Sequence, residues 1–309
     1  MLKALKAFVY GDSDLLHATP LNAYQIDKAR VALPKTFQKT DRPQEADIFW
    51  IPVDLGHIEA YHGGARAVAE SVRRLPFWKG NERRHVAYFC SDGAEPTVLP
   101  CIMFRQSFYK DRADENVVAW PYAVEDLGDL ETDDFAALPY DVSFVGSRVS
   151  SKCRAESFDS VARSTTLKHF LDDSHLHWGS VEHTEVGRKR KELFAKSMAE
   201  SRMVLAARGG GLSCYRFFEA MSAGRVPVLL ADDWQLPHSP LIDWDDCIIQ
   251  IAERDATCAG EILAKWTGAA AIARLAVMGH EAREMWRYFL APDVWPDMME
   301  LCVRQKLGI

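Results

Sequence analysis

Short, largely apolar runs alternate with longer stretches whose apolar positions recur every three or four residues, along almost the entire chain. The runs at 7–10, 46–53, 85–90, 117–120, 141–145, 203–207, 226–230 and 247–251 predict strands. Those at 46–53, 203–207 and 226–230 read as strands buried in a parallel sheet. The intervening periodicity predicts helices at 22–33, ended near Pro34, at 65–75, within 151–164, at 187–200 and at 213–223, with a mostly helical tail from 255. Strand–helix alternation on both sides of an acidic stretch predicts α/β layering in each half. That stretch, 125–139, carries Glu125, Asp126, Asp129, Glu131, Asp133 and Asp134 without an apolar period, and reads as a linker. The expected division is 1–135, 136–285 and a closing helical segment 286–309 that packs back on the first domain. No repeat or low-complexity tract interrupts it.

Residues 201–234 read as strand, glycine loop, helix, strand, and carry the densest chemistry. Arg208 is followed by Gly209, Gly210 and Gly211, whose backbone can approach a ligand closely. Ser213 is the expected N-cap of the next helix, and Gly224 stands where a left-handed residue would end it. Amides at a helix N-terminus attract anions. Ser213, Arg216 and Glu219 are spaced three apart and share one side of two helical turns. A hydroxyl and a guanidinium there suit a diphosphate, and a carboxylate one turn deeper suits ribose hydroxyls. A strand-to-helix turn with glycines for packing alone would not need those three groups in that order.

A net charge of −7 argues against a nucleic-acid binder that relies on a basic surface. The run Arg188-Lys189-Arg190-Lys191 reads as a solvated helix face. Seven cysteines, an odd number with no Cys-x-x-Cys pair, point to a reducing compartment and offer no zinc-ligand spacing. No stretch reaches membrane-spanning length without charges, and the first ten residues are too short and charged for a signal sequence, so a cytoplasmic location is expected. Phe8-Val9-Tyr10-Gly11-Asp12-Ser13-Asp14 places Asp-x-Asp after an apolar run, which is the look of a metal site. It precedes any complete nucleotide-binding unit and reads as a polar loop, so no metal is expected.

Residues 201–251, with Glu253 just beyond them, resemble the exostosin family of glycosyltransferases, glycosyltransferase family 47. The resemblance rests on Ser201 to Gly209, on Ser213-Cys-Tyr-Arg216-Phe-Phe-Glu219-Ala, on Gly224-Arg-Val-Pro227-Val-Leu-Leu-Ala-Asp232, and on Leu236-Pro237, Ile242-Asp243-Trp244 and Glu253. Weaker similarities lie at 46–52, 85–93 and 142–146. The resemblance implies a GT-B fold, two Rossmann-like domains facing across a cleft with the nucleotide sugar on the second. It implies inverting transfer from a UDP-sugar to a glycan acceptor, without a bound metal or cofactor. Carried over by position, Ser213 and Arg216 hold the diphosphate and Glu219 the ribose, with Arg208, Gly209, Gly210, Gly211, Gly146 and Arg148 lining the same pocket. Family members usually carry a membrane anchor and a longer lumenal chain. The sequence shows neither, which points to a bacterial or viral member working in the cytosol. Gly224-Arg225 also replaces the family's glycine–cysteine before the Pro-Val strand, a change expected to affect packing only.

Inverting transfer needs a base for the acceptor hydroxyl and a cationic site for the departing diphosphate. Arg216, the helix N-terminus, and Arg148 or Arg208 answer the second need. Asp92, at the end of the 85–90 strand, is the first candidate for the base. Asp54, His57 and Glu59, in a polar glycine-bearing loop after the 46–53 strand, are the alternatives. Two other functions fit parts of the pattern. One is a non-catalytic nucleotide- or glycan-binding module of the same fold, against which the retention of Ser213, Arg216 and Glu219 together argues. The other is a nicotinamide enzyme, for which the Gly-x-Gly-x-x-Gly turn near a Rossmann start is missing.

Overall fold

The computed structural model describes residues 3–91, 97–112, 114–130, 132, 134–173, 184–239 and 241–309. The chain folds as two compact units. The first comprises Met1–Pro121, Asp233–His238 and Asp293–Ile309; the second comprises Tyr122–Asp232 and Ser239–Pro292. Each is built on one parallel sheet with helices, so the α/β class is as expected.

In the first unit the strands are β1 (Lys6–Val9), β2 (Gln38–Thr40), β3 (Ile48–Asp54), β4 (His85–Phe89), β5 (Ile102–Arg105) and β6 (Val117–Ala119), in the order β2-β1-β3-β4-β5-β6. All five pairings are parallel. The central strand β3 is buried along Ile48–Val53, which is why its sequence shows no alternation. Helices α1 (Asp12–Ala18), α2 (Ala23–Lys28), α3 (Leu55–Tyr61) and α4 (Gly64–Arg73) belong to this unit. Their buried side chains Leu15, Ile26, Ile58, Val68 and Val72 join Phe49, Ile51 and Phe89 in one core. Each such side chain contributes about 1.5–3 kcal/mol by leaving water.

Two segments expected as loops are helical. Asp12 and Asp14 lie in α1, where the Asp14 carboxylate accepts the Gly11 N–H and Asp12 pairs with Arg30 at 2.8 Å. The stretch after β3 is helix α3, with Leu55 and Ile58 buried one turn apart and Asp54 as its N-cap. The helix expected at 22–33 ends at Lys28, because Arg30 and Val31 turn to bond along β3.

In the second unit the strands are β7 (Tyr140–Gly146), β8 (His169–Asp173), β9 (Ser201–Ala207), β10 (Val226–Leu230) and β11 (Ile249–Gln250), in the order β11-β10-β9-β7-β8, again all parallel. Helices α5 (Lys152–Ala162), α6 (Glu185–Ala199), α7 (Tyr215–Ser222), α8 (Ala259–Ala264) and α9 (Ala269–Met285) belong here. The chain ends in α10 (Trp295–Leu307), which lies in the first unit: Thr36 donates to Pro296 O and Arg304 to Lys3 O. Phe217, Phe218 and Met221 of α7 are fully buried. No single helix among the described residues is long and apolar enough to cross a membrane.

The acidic stretch expected as a linker is a packed part of the second unit. Leu127 N–H donates to Ser222 Oγ, Asp126 pairs with Arg283 at 2.7 Å, and Phe135 and Leu138 are buried. Arg225, expected to affect only packing, holds this stretch in place. Its guanidinium is buried and donates to the carbonyls of Met198, Ala199, Ala223, Gly224 and Leu130. It thus bonds to carbonyls at the carboxyl ends of α6 and α7, where a cation opposes the helix dipole.

Candidate active site

The sheet order defines where each unit binds. In the second unit the chain runs from β7 to β8 on one side and to β9, β10 and β11 on the other. The switch point therefore lies between β7 and β9, and ligands of open parallel sheets bind beyond the carboxyl ends at such a point. Gly146 is the last residue of β7 and Arg208 follows the last residue of β9. Gly146, Arg208, the three glycines, Ser213, Arg216 and Glu219 are thus gathered at the switch point and on the helix that follows it.

The helix begins one residue later than expected. Cys214, not Ser213, is the N-cap, and no side chain caps the helix. The Ser213 hydroxyl is buried and has no hydrogen-bond partner among the described residues. An orphaned buried hydroxyl costs about 1–3 kcal/mol, which a ligand atom would recover. Arg216 donates through Nε to Val145 O at 3.0 Å, and its guanidinium lies 4.4 Å from the Phe144 ring centre. It has no carboxylate partner among the described residues. Glu219, partly buried a turn further on, has no hydrogen bond or ion pair from a described side chain. Burial raises its carboxyl to about 7; Arg216 pulls the other way and Glu125 adds to the rise.

The remaining residues of the set divide. Arg208 pairs with Glu253 at 2.9 Å, and its carbonyl accepts from Ser151 Oγ, the N-cap of α5. Glu253 N–H in turn donates to Asp232 at 2.9 Å, so the segments after β9, β10 and β11 are tied together. Asp232 thereby serves as a loop tie. Arg148 is committed to two carboxylates, Asp173 at 2.8 Å and Asp159 at 2.5 Å. Three further groups went unnoticed in the sequence. Arg154 of α5 donates to Ala207 O and Ser147 O. Cys214 lies against two guanidinium groups. Tyr215, half-exposed at the start of α7, stacks on Tyr122 at 4.1 Å. Only contiguous groups were visible in sequence, and Arg154 stands 60 positions before Cys214.

In the first unit the switch point lies between β1 and β3. Asp54 ends β3, and one carboxylate oxygen accepts the Gly56 and Cys90 N–H groups, both at 2.8 Å. Burial raises Asp54 to about 6 against the lowering effect of those two amides; Glu59 adds a smaller rise and Arg105 a smaller fall. Glu59 is buried against Arg105 at 2.8 Å and also accepts from Ser91 Oγ and Thr97 Oγ1. His57 packs on Tyr61 and His62, with ring centres at 5.0 and 5.5 Å. Asp92 lies outside the described residues.

The second unit thus presents a hydroxyl just before α7, and a guanidinium and a carboxylate on it, beyond the carboxyl ends of a parallel sheet. The exostosin GT47 domain matches residues 17–266. An Exostosin-1 homolog of Caenorhabditis elegans is 32% identical over 158 residues, 46% of this chain and 40% of that protein. Exostosin-1 of Drosophila melanogaster is 24% identical over 271 residues, 77% of this chain and 35% of that protein. The chain thus spans well under half the length of these curated relatives. A glycosyltransferase from Rickettsia africae superposes over 98% of both chains, with 9% identity and a TM-score of 0.46. The chain belongs to the exostosin GT47 family of glycosyltransferases.

Proposed function

We propose that this chain is an inverting, metal-independent transferase that moves a sugar from a UDP-sugar to a hydroxyl of a glycan acceptor. The second unit holds the donor and the first unit the acceptor. The observation that carries the reading is the row Ser213, Arg216, Glu219, which among the described residues shows a buried hydroxyl without a partner, a guanidinium without a carboxylate and a carboxylate without a donor, running from just before the uncapped start of α7. In this reading Ser213 and the first amides of α7 bind the diphosphate, Arg216 neutralises it, and Glu219 accepts from the ribose hydroxyls.

As the acceptor oxygen attacks the anomeric carbon, the bond to the diphosphate breaks and negative charge builds on UDP. Arg216 and the helix dipole interact more strongly with that charge than with the intact donor, which lowers the barrier. Asp54 is the favoured base among the described candidates. Its burial holds it near neutrality, and one of its oxygens has no partner among the described residues. Both oxygens of Glu59 are already engaged by Arg105 and two hydroxyls.

Calorimetric titration with UDP and assay of UDP release from UDP-sugars test the reading. Binding of UDP, with turnover abolished in Arg216→Ala and Glu219→Ala variants that still melt cooperatively, is expected. Full activity in both variants would overturn it. Binding of UDP without turnover on any acceptor would favour the non-catalytic module.

A further inference from the structure

Two arginines, not one, converge on the start of α7. Arg154 lies in the first turn of α5, is 7% exposed, and directs Nε and Nη2 to Ala207 O at 3.0 and 2.7 Å and Nη1 to Ser147 O at 3.3 Å. Those carbonyls belong to the last residue of β9 and the residue after β7, the two strands that flank the switch point. Arg154 Nη2 lies 3.8 Å from Cys214 Sγ, and Arg216 Nη1 lies 3.9 Å from the same sulfur. Both guanidinium groups also lie near the Phe144 ring, at 5.8 and 4.4 Å from its centre. Gly209 passes over Arg154 so closely that a Cβ there would stand 3.2 Å from Nη2.

Arg154 therefore touches three segments of the proposed donor site. Through Ala207 it holds the root of the 208–211 loop, through Ser147 the turn after β7, and through the Cys214 sulfur the N-cap of α7 beside Arg216. Its donors are spent on protein atoms, so it acts on a ligand through its neighbours and through its charge. A fixed cation in a buried setting acts over several ångströms with little screening. We propose that Arg154 is a positioning residue for the donor diphosphate, coupled to Arg216 through Cys214 and Phe144. The inference rests on the donor-site reading given above.

The test compares binding of UDP with binding of uridine, which lacks the phosphates, in the full chain. Arg154→Lys keeps the charge but cannot reach two carbonyls and the sulfur with one planar fork. Cys214→Ala removes only the bridging sulfur and leaves no buried carbonyl unpaired, so it remains folded even if Arg154→Lys does not. Cys214→Ser restores a polar bridge. Each of the first two is expected to weaken UDP binding by about tenfold, the scale of one charge-assisted hydrogen bond, and to leave uridine binding unchanged. Cys214→Ser is expected to recover most of the loss. With a donor sugar, KM should rise more than kcat falls. Equal loss of UDP and uridine binding would reveal a merely structural role and overturn the proposal, as would unchanged UDP affinity in Cys214→Ala and Arg154→Lys. Arg216→Lys run beside them separates the two levels. If it too leaves UDP binding unchanged, the donor-site reading itself fails. If it alone weakens UDP binding, only the role of Arg154 falls.

Discussion

The guanidinium of Arg216 fills the space that a side chain on Gly146 would need: a Cβ built on that glycine runs into Nη2. Gly146 also has φ +147°, a conformation that side-chain-bearing residues rarely adopt. The end of β7 is therefore shaped around the arginine of α7. Gly146→Ala should cost of order 1–3 kcal/mol from backbone strain and displace the guanidinium from Phe144. The expected result is a melt that stays cooperative at a lower temperature, with UDP affinity reduced by more than about tenfold. Calorimetry on the folded variant checks it, and unchanged affinity would show that Arg216 does not need this path.

The candidate donor residues could be read as a group because they are contiguous. Arg208, three glycines, Ser213, Arg216 and Glu219 follow one another within a single strand–loop–helix unit, and parallel order places that unit at a switch point. Most central strands were legible for a related reason, since burial on both faces leaves a continuous apolar run; β5, Ile-Met-Phe-Arg, was missed although it is interior and buried. Two of the four edge strands escaped. β2 is Gln-Lys-Thr and β8 is half-exposed along its length, so neither carries a run. Helix α3 escaped because Leu55 and Ile58 are the only apolar side chains it buries, amid histidine, glycine and glutamate. Arg154 and Arg225 were unreadable in principle, because their roles are set by carbonyls brought together only by the fold.

The raised carboxyl of Glu219 gives a pH dependence with a definite sign. Its folded value, about 7, lies above the ordinary 4.5 because burial disfavours the charged form. The protonated carboxyl's contribution to stability is therefore full below about 4.5 and is lost as pH rises through 7. Asp54, also raised, contributes in the same direction, while buried His85 and His238, both lowered to about 4, contribute in the opposite one. The difference between wild type and Glu219→Gln isolates the one group. The variant should gain on wild type between pH 4.5 and pH 8, by about 3 kcal/mol at most. UDP affinity should move the other way, rising with pH in the wild type as the carboxylate forms and staying flat in the variant. Denaturant titrations and calorimetry at both pH values check the two halves.

Arg225 should matter to the whole second unit rather than to the donor site. It bonds to the carbonyls of Met198, Ala199, Ala223, Gly224 and Leu130, and no other cationic side chain has this geometry. Arg225→Met keeps the volume but leaves those carbonyls buried and unpaired. A loss of about 3 kcal/mol or more is expected, read as a lower denaturant midpoint. Arg225→Lys should recover only part of it. A neutral outcome would mean that water or neighbouring amides replace the guanidinium.

Asp54 offers the sharpest separation of structure from chemistry. Its Oδ1 accepts from Gly56 and Cys90 N–H, and the side-chain carbonyl of asparagine can accept both bonds unchanged. Asp54→Asn should therefore fold, melt no lower than the wild type and gain on it as pH rises through 6, and bind UDP as tightly, since the proposed donor residues lie in the second unit. What it cannot do is take a proton from the acceptor hydroxyl, a step whose loss typically costs about 100- to 10,000-fold in rate. The expected outcome is a fall in kcat of that order with the UDP dissociation constant unchanged. The parallel variant Glu59→Gln should behave differently. It leaves Arg105 buried beside a neutral amide, so stability should fall by about 3–5 kcal/mol before any effect on catalysis can be read. If Asp54→Asn retains full turnover, the proton is taken elsewhere, and Asp92 becomes the residue to replace next.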